Sequence, residues 1–249
     1  TQLSEGALPL ALGLASALGL FGGVLLHEFG HSLVARRYGY DIESITLWLL
    51  GGVASFEEFP ENWRHELVIA AAGPVVSVLV GVGSYAVFLG LPAGLDPARF
   101  VRGYLAVLNV VLAVFNLLPA FPMDGGRILR ALLARSQPHA QATQQAAAVG
   151  KVFAFGLALL GLFANLFLIL LAFFIYIAAS NEAQQTSLKA AFEGVTVRDV
   201  MTPEERLLTV DRDASVAALL RRHFVRRHTG HPALRPRPLV GTGTLQVPR

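Results

Sequence analysis

Four long stretches of this 249-residue chain carry no charged side chain: residues 6–26, 67–95, 103–123 and 152–181. A helix needs about 20 mostly apolar residues to cross a hydrocarbon core roughly 30 Å thick, and each stretch reaches that length. Burying four such helices inside a soluble protein would require a polar coat. The chain lacks one: 15% of its residues are charged and 54% hydrophobic, against about 25% charged in ordinary soluble domains. The expected fold class is therefore a polytopic α-helical membrane protein. High hydrophobic content also excludes a disordered chain. The absence of cysteine excludes a disulfide scaffold, a thiolate zinc site and a cysteine nucleophile. The first stretch does not read as a secretory signal, because no basic segment precedes it and no A-x-A pattern follows.

Flanking charges set the orientation. Arg36 and Arg37 close the first span, and Arg127, Arg130, Arg135 and Lys151 flank the segment between the third and fourth. Lys and Arg concentrate on the cytoplasmic side, so both regions are expected there, with the loop at 96–102 outside. The fourth stretch would be about 45 Å long as one helix, too long for a single crossing. A break near residues 161–165 predicts a tight pair of short helices instead. That topology makes a multi-pass cell-membrane protein with a cytoplasmic C-terminal region.

The chemistry is concentrated in His27-Glu28-Phe29-Gly30-His31. H-E-x-x-H on a helix puts two imidazoles on one face, about 6 Å apart. Two ligands of one tetrahedral zinc need that arrangement. Glu28 is placed to reach a water on the metal without ligating it, and to take the proton as that water attacks a carbonyl. By chance the pattern is expected on the order of once in a hundred chains of this composition. Its position strengthens the reading: ionisable groups are costly near the end of a charge-free span and mark function there. Arg37 lies six residues beyond His31, roughly 9 Å along the axis, so the site should open just below the cytoplasmic face.

A catalytic zinc wants a third protein ligand and an open position. Asp124 is the intramembrane candidate, in Asn116-Leu-Leu-Pro-Ala-Phe-Pro-Met-Asp124-Gly-Gly-Arg127. Pro119 and Pro122 cannot sustain a regular helix, and Gly125-Gly126 lets the backbone turn. Irregular backbone at this depth must be buried in protein or line a wet cavity, which aims Asp124 inward. The residues also allow Asp124 to cap a helix starting at Gly125 and pair with Arg127. Spacing alone does not choose between the two.

Together, H-E-F-G-H and N-L-L-P-A-F-P-M-D-G-G-R resemble the site-2 protease family of intramembrane zinc metalloproteases, particularly its branch with C-terminal CBS domains. The likeness runs through essentially the whole chain. It implies that His27, His31 and Asp124 hold one Zn2+ per chain and that Glu28 is the catalytic base. It also implies the reaction: hydrolysis of a peptide bond in or near a transmembrane segment of another membrane protein. Asn116 falls where the family suggests a contact to substrate or to the transition-state oxyanion; a hydrogen bond between spans is the alternative.

Residues 41–56 (DIESITLWLLGGVASF) are rich in β-branched and aromatic residues around Gly51 and Gly52, and predict a short membrane-associated β segment. The resemblance suggests that its edge accepts an unwound substrate by strand addition; a structural hairpin shielding the site is the other reading. Ala72-Gly73-Pro74 looks like the family's A-G-P element, and a small residue before proline suits close helix packing. His65, beside Trp63 and Arg64, is expected to be a solvated interfacial residue rather than a ligand. His139, in a polar loop, is expected to be exposed. Phe153, Phe155, Phe163, Phe167, Phe173 and Phe174 read as lipid-facing or packing residues.

From about Glu193 the chain turns soluble in character. Residues 198–249 carry net +5 while 1–197 carry net −2, an asymmetry that argues for two domains. Val197-Arg-Asp-Val-Met-Thr-Pro203 resembles the start of a CBS module, and 215–224, 227–232 and 239–241 continue the pattern. The expected division is a transmembrane metalloprotease core at 1–182 and a partial α/β CBS-like cytoplasmic domain at 193–249. Such modules occur in tandem pairs and often bind adenine nucleotides. Here the acid expected to contact a ribose is missing from Thr242-Gly-Thr-Leu-Gln-Val247, and Pro248 interrupts the following helix, which argues against nucleotide binding. The missing second repeat means either truncation or completion by a second chain in a homodimer. The arginines at 221, 222, 226, 227, 235 and 237 lack interleaved aromatics and read as a solvated face, not a nucleic-acid surface.

The expected partners are a transmembrane protein substrate and membrane lipid, with no nucleic acid. Two other classes remain open from sequence: a transporter or channel regulated by its CBS-like domain, and a zinc-binding membrane scaffold without proteolytic activity.

Overall fold

The structure is a computed structural model that describes residues 2–48, 51–56, 62–92, 94–201, 210–211, 215, 217, 230–234 and 239–244. The chain forms two compact units, Thr1–Ala191 and Phe192–Arg249.

Helix α1 runs from Gln2 to Arg37 and carries the H-E-F-G-H motif in its last third. A turn with Gly39 at a positive φ of 85° leads into β1 (Ile42–Trp48), which pairs antiparallel with β2 (Gly51–Phe56). Helix α2 (Trp63–Gly90) begins ten residues before Gly73, capped by the Asn62 side chain accepting from Arg64 N–H at 3.0 Å. Ala72-Gly73-Pro74 therefore lies inside this helix. Helix α3 (Asp96–Asn116) ends in seven non-helical residues, after which α4 (Asp124–Leu133) starts. Helices α5 (His139–Phe163) and α6 (Leu166–Phe192) replace the fourth charge-free stretch, separated by only Ala164 and Asn165. The break thus falls inside the expected window. Five helices, α1, α2, α3, α5 and α6, are long and apolar enough to cross a membrane. Phe155, Phe163, Phe167, Phe173 and Phe174 are exposed on them, as lipid-facing residues would be.

Small residues let these helices approach closely, the usual device where lipid removes any hydrophobic drive to pack. Gly30 of α1 meets the Ala72 carbonyl and Val76 of α2; Gly23 of α1 meets Asn109 of α3. Ala142, Thr143, Ala146, Ala147, Gly150 and Ala154 form the buried stripe of α5. Against it and α6 sits the non-helical segment after α3: Phe121 packs with Ala146, Ala147, Ala179 and Ala183, and Ala120 and Met123 pack with Ala154 and Ile175. The irregular backbone expected from Pro119 and Pro122 is thus plugged into the α5–α6 hairpin, which fixes where α4 begins.

The glycine pair after Asp124 acts differently from the sequence expectation. Gly125 and Gly126 are helical, and neither has a positive φ. A Cβ on Gly125 would overlap the Leu117 and Leu118 carbonyl oxygens, and one on Gly126 would fall 2.7 Å from Phe121 N. They permit close approach of the preceding backbone rather than a sharp turn.

In the second unit, α7 (Val197–Val200) opens with a capping box in which the Asp199 carboxylate accepts from Thr196 Oγ1–H at 2.7 Å and Thr196 N–H at 2.8 Å. These bonds hold Asp199 below the usual carboxylate range, the side-chain bond contributing most. Strands β3 (Val210–Asp211), β4 (Gly230–Leu234) and β5 (Leu239–Thr244) form one sheet, β3 parallel and β5 antiparallel to β4. The six arginines between 221 and 237, most of the 215–224 helix and residues 245–248 lie outside the described residues.

Candidate metal centre

His27 and His31 lie one helical turn apart on α1, both buried. Each ring is held at the nitrogen away from its neighbour. His31 Nδ1 donates to the Ile69 carbonyl at 2.7 Å. A carbonyl only accepts, so the proton sits on Nδ1 and Nε2 presents its lone pair. His27 Nδ1 lies 2.9 Å from Ser77 Oγ, and donation there gives the same tautomer. Both anchors belong to α2. Such outer partners fix ring orientation and raise ligand basicity at metal sites.

The two Nε2 atoms are 3.2 Å apart, and Asp124 Oδ2 stands 3.1 Å from His27 Nε2 and 3.3 Å from His31 Nε2. Asp124 is the first residue of α4, and the cap position is held by Met123 instead. Of the two roles the sequence left open, its carboxylate is directed at the histidines. Among the described residues this is the one set of His, Asp and Glu side chains grouped closely enough to share a metal.

The geometry fits zinc. With bonds near 2.0–2.2 Å, ligand atoms of a tetrahedral zinc stand about 3.3 Å apart, and all three edges of this triangle fall at 3.1–3.3 Å. Three electron-pair donors converge on one small buried volume, an arrangement that a cation stabilises. Gly73 keeps that volume open: a Cβ there would overlap His31 Nε2 and stand 2.7 Å from His27 Nε2.

Glu28 is 8% exposed and within electrostatic reach of His27, His31, Asp124 and Arg127. Asn116 Nδ2 donates to the Leu112 carbonyl of its own helix at 3.0 Å rather than to another span. Gly51 and Gly52 open β2, paired with Trp48 and Leu47. His65 is half-buried: its ring stacks on Tyr38 with centroids 4.2 Å apart, and its Nδ1 lies 3.0 Å from the Tyr40 hydroxyl. His139 is half-buried, with Nε2 3.6 Å from Glu66 Oε2.

Sequence reasoning missed Ile69 and Ser77, and took Gly73 for packing. The available signal was the fourfold spacing of Ile69, Gly73 and Ser77 along one face of the second span.

His27 and His31 on a membrane-length helix and Asp124 at the start of α4 thus bring together three buried ligand atoms that could hold a metal ion. The family model of peptidase family M50 matches residues 15–97 and 93–160. A zinc metalloprotease of Methanocaldococcus jannaschii is 38% identical over 89% of this chain and 64% of its own length. Rip3 of Mycobacterium tuberculosis is 35% identical over 89% of this chain and 59% of its own. The solved site-2 protease from M. jannaschii superposes with a TM-score of 0.56 at 42% identity, covering 67% of this chain and 76% of that one. The chain belongs to peptidase family M50, the site-2 protease family, and is a multi-pass membrane protein. It spans about three-fifths of the length of the curated relatives it matches.

Proposed function

We propose that the protein is an intramembrane zinc metalloprotease that hydrolyses a peptide bond in or near a transmembrane segment of a membrane-protein substrate. His27, His31 and Asp124 hold the zinc. When bound, zinc supplies Lewis-acid activation of a water nucleophile and of the scissile carbonyl. Glu28 takes the proton from the attacking water and delivers it to the departing amine. Ser77 and the Ile69 carbonyl keep both imidazoles in the ligating tautomer. The observation that carries this reading is the 3.1–3.3 Å triangle of donor atoms.

The flanking arginines favour a cytoplasmic opening and a cytoplasmic C-terminal region. An extended substrate suits addition to the edge of the β1–β2 hairpin at the membrane, with Gly51 and Gly52 allowing close backbone approach. Asn116, eight residues before Asp124, is assigned to substrate or oxyanion contact. The C-terminal unit is read as a partial CBS-like domain.

The test is Glu28→Gln. In detergent, the variant is expected to retain one zinc per chain and to lose cleavage of single-span peptides. Undiminished cleavage would remove Glu28 as the base, and ion flux dependent on Asp124 would favour a transporter.

A further inference from the structure

Apart from the donor triangle, the described residues contain a second buried charged cluster. Arg130 of α4 is 3% exposed. Its Nε donates to Glu66 Oε1 of α2 at 2.6 Å, Nη2 reaches the same oxygen at 2.6 Å, and Nη1 donates to Glu182 Oε1 of α6. The guanidinium also lies 5.1 Å from the ring centroid of Phe121, in the segment that leads into Asp124. From α5, His139 Nε2 faces the second Glu66 oxygen at 3.6 Å, and both atoms are sealed without a hydrogen-bond partner. The cluster therefore joins four helices to the segment before Asp124.

Two features give it a role beyond holding the bundle together. Glu66 begins the buried stripe of α2 that continues through Ile69, Gly73 and Ser77, the residues that orient and make room for the histidines. Arg130 lies on the ten-residue helix whose first residue is Asp124. A fork of planar N–H donors in fixed geometry is what locks one element against another, whereas an ammonium acts as a point charge. Buried ion pairs are weak sources of net stability but are attested where a unique register is required.

We propose that Arg130 is a positioning residue: by binding Glu66 and Glu182 it fixes α4, and with it the Asp124 carboxylate, against the α2 stripe that orients His27 and His31. The proposal rests on the reading of Asp124 as a zinc ligand.

The experiment measures zinc affinity of the full chain in detergent by chelator competition, for Arg130→Lys and Glu182→Gln, each with Asp124 intact and with Asp124→Ala. With Asp124 intact, Arg130→Lys is expected to weaken zinc binding about tenfold or more, the range for outer partners of metal ligands. Peptide cleavage should show a lower kcat at unchanged KM. In the Asp124→Ala background the same substitution should change zinc affinity less than twofold, because its effect runs through that carboxylate. A general loosening of the bundle would weaken binding equally in both backgrounds and overturn the proposal. Affinities within twofold of the parent for both variants would also overturn it. Glu182 is partly exposed, so Glu182→Gln carries the test should Arg130→Lys fail to fold. A parent chain that binds no zinc defeats the metal reading itself; a parent that binds zinc beside unaffected variants defeats only the role of Arg130.

Discussion

A methyl group at position 73 would occupy the space between the two imidazoles. The rings cannot swing aside freely, because His31 is held at the Ile69 carbonyl and His27 at Ser77. Gly73→Ala should therefore lower zinc affinity by about tenfold or more. Gly83→Ala on the same helix, where a Cβ meets nothing within 4 Å, should leave it unchanged; chelator competition reads both. At this scale the sequence was informative wherever chemistry was costly. His27, Glu28, His31 and Asp124 stood out because polar groups in apolar spans need a reason. Gly73 and Ile69 did not, because a missing side chain and a backbone carbonyl have no signature until another helix is laid against them. His139, expected to be exposed in a polar loop, had no visible link to Glu66, since only the folding of α5 against α2 brings them within 3.6 Å.

Element positions decide whether Asp124 reaches the histidines. The segment between α3 and α4 is set by Phe121, Ala120 and Met123 buried against α5 and α6, and its carbonyls press on Gly125. Gly125→Ala would place a Cβ on the Leu117 and Leu118 oxygens, which are backbone and cannot rotate away. The N-terminus of α4 must then shift. Zinc affinity is expected to fall by on the order of tenfold, as for lost support of a metal ligand, and retention of full affinity would show that α4 tolerates the movement. The prolines announced a break here, and the length of the fourth stretch announced the α5–α6 turn; both are backbone facts written in composition. The direction of Asp124 was not readable, because capping and ligation ask for the same residue at the same place.

Across the whole molecule, the five membrane-length helices of the proposed topology put residues 91–92, 94–95 and 164–165 on one face of the bilayer and 134–138 on the other. The chain has no cysteine, so single substitutions report topology directly. Gly94→Cys and Asn165→Cys should react with an impermeant thiol reagent from outside intact cells, and Ser136→Cys only after permeabilisation. The central claim is that side chains from two separate helices share one divalent ion. Its most direct test is the zinc content and affinity of the purified chain with Asp124 and with Asp124→Ala. The account expects one zinc per chain, and an affinity loss in the variant exceeding the roughly 10- to 100-fold cost of losing an outer hydrogen-bond partner. Equal zinc affinity in the two proteins would contradict it.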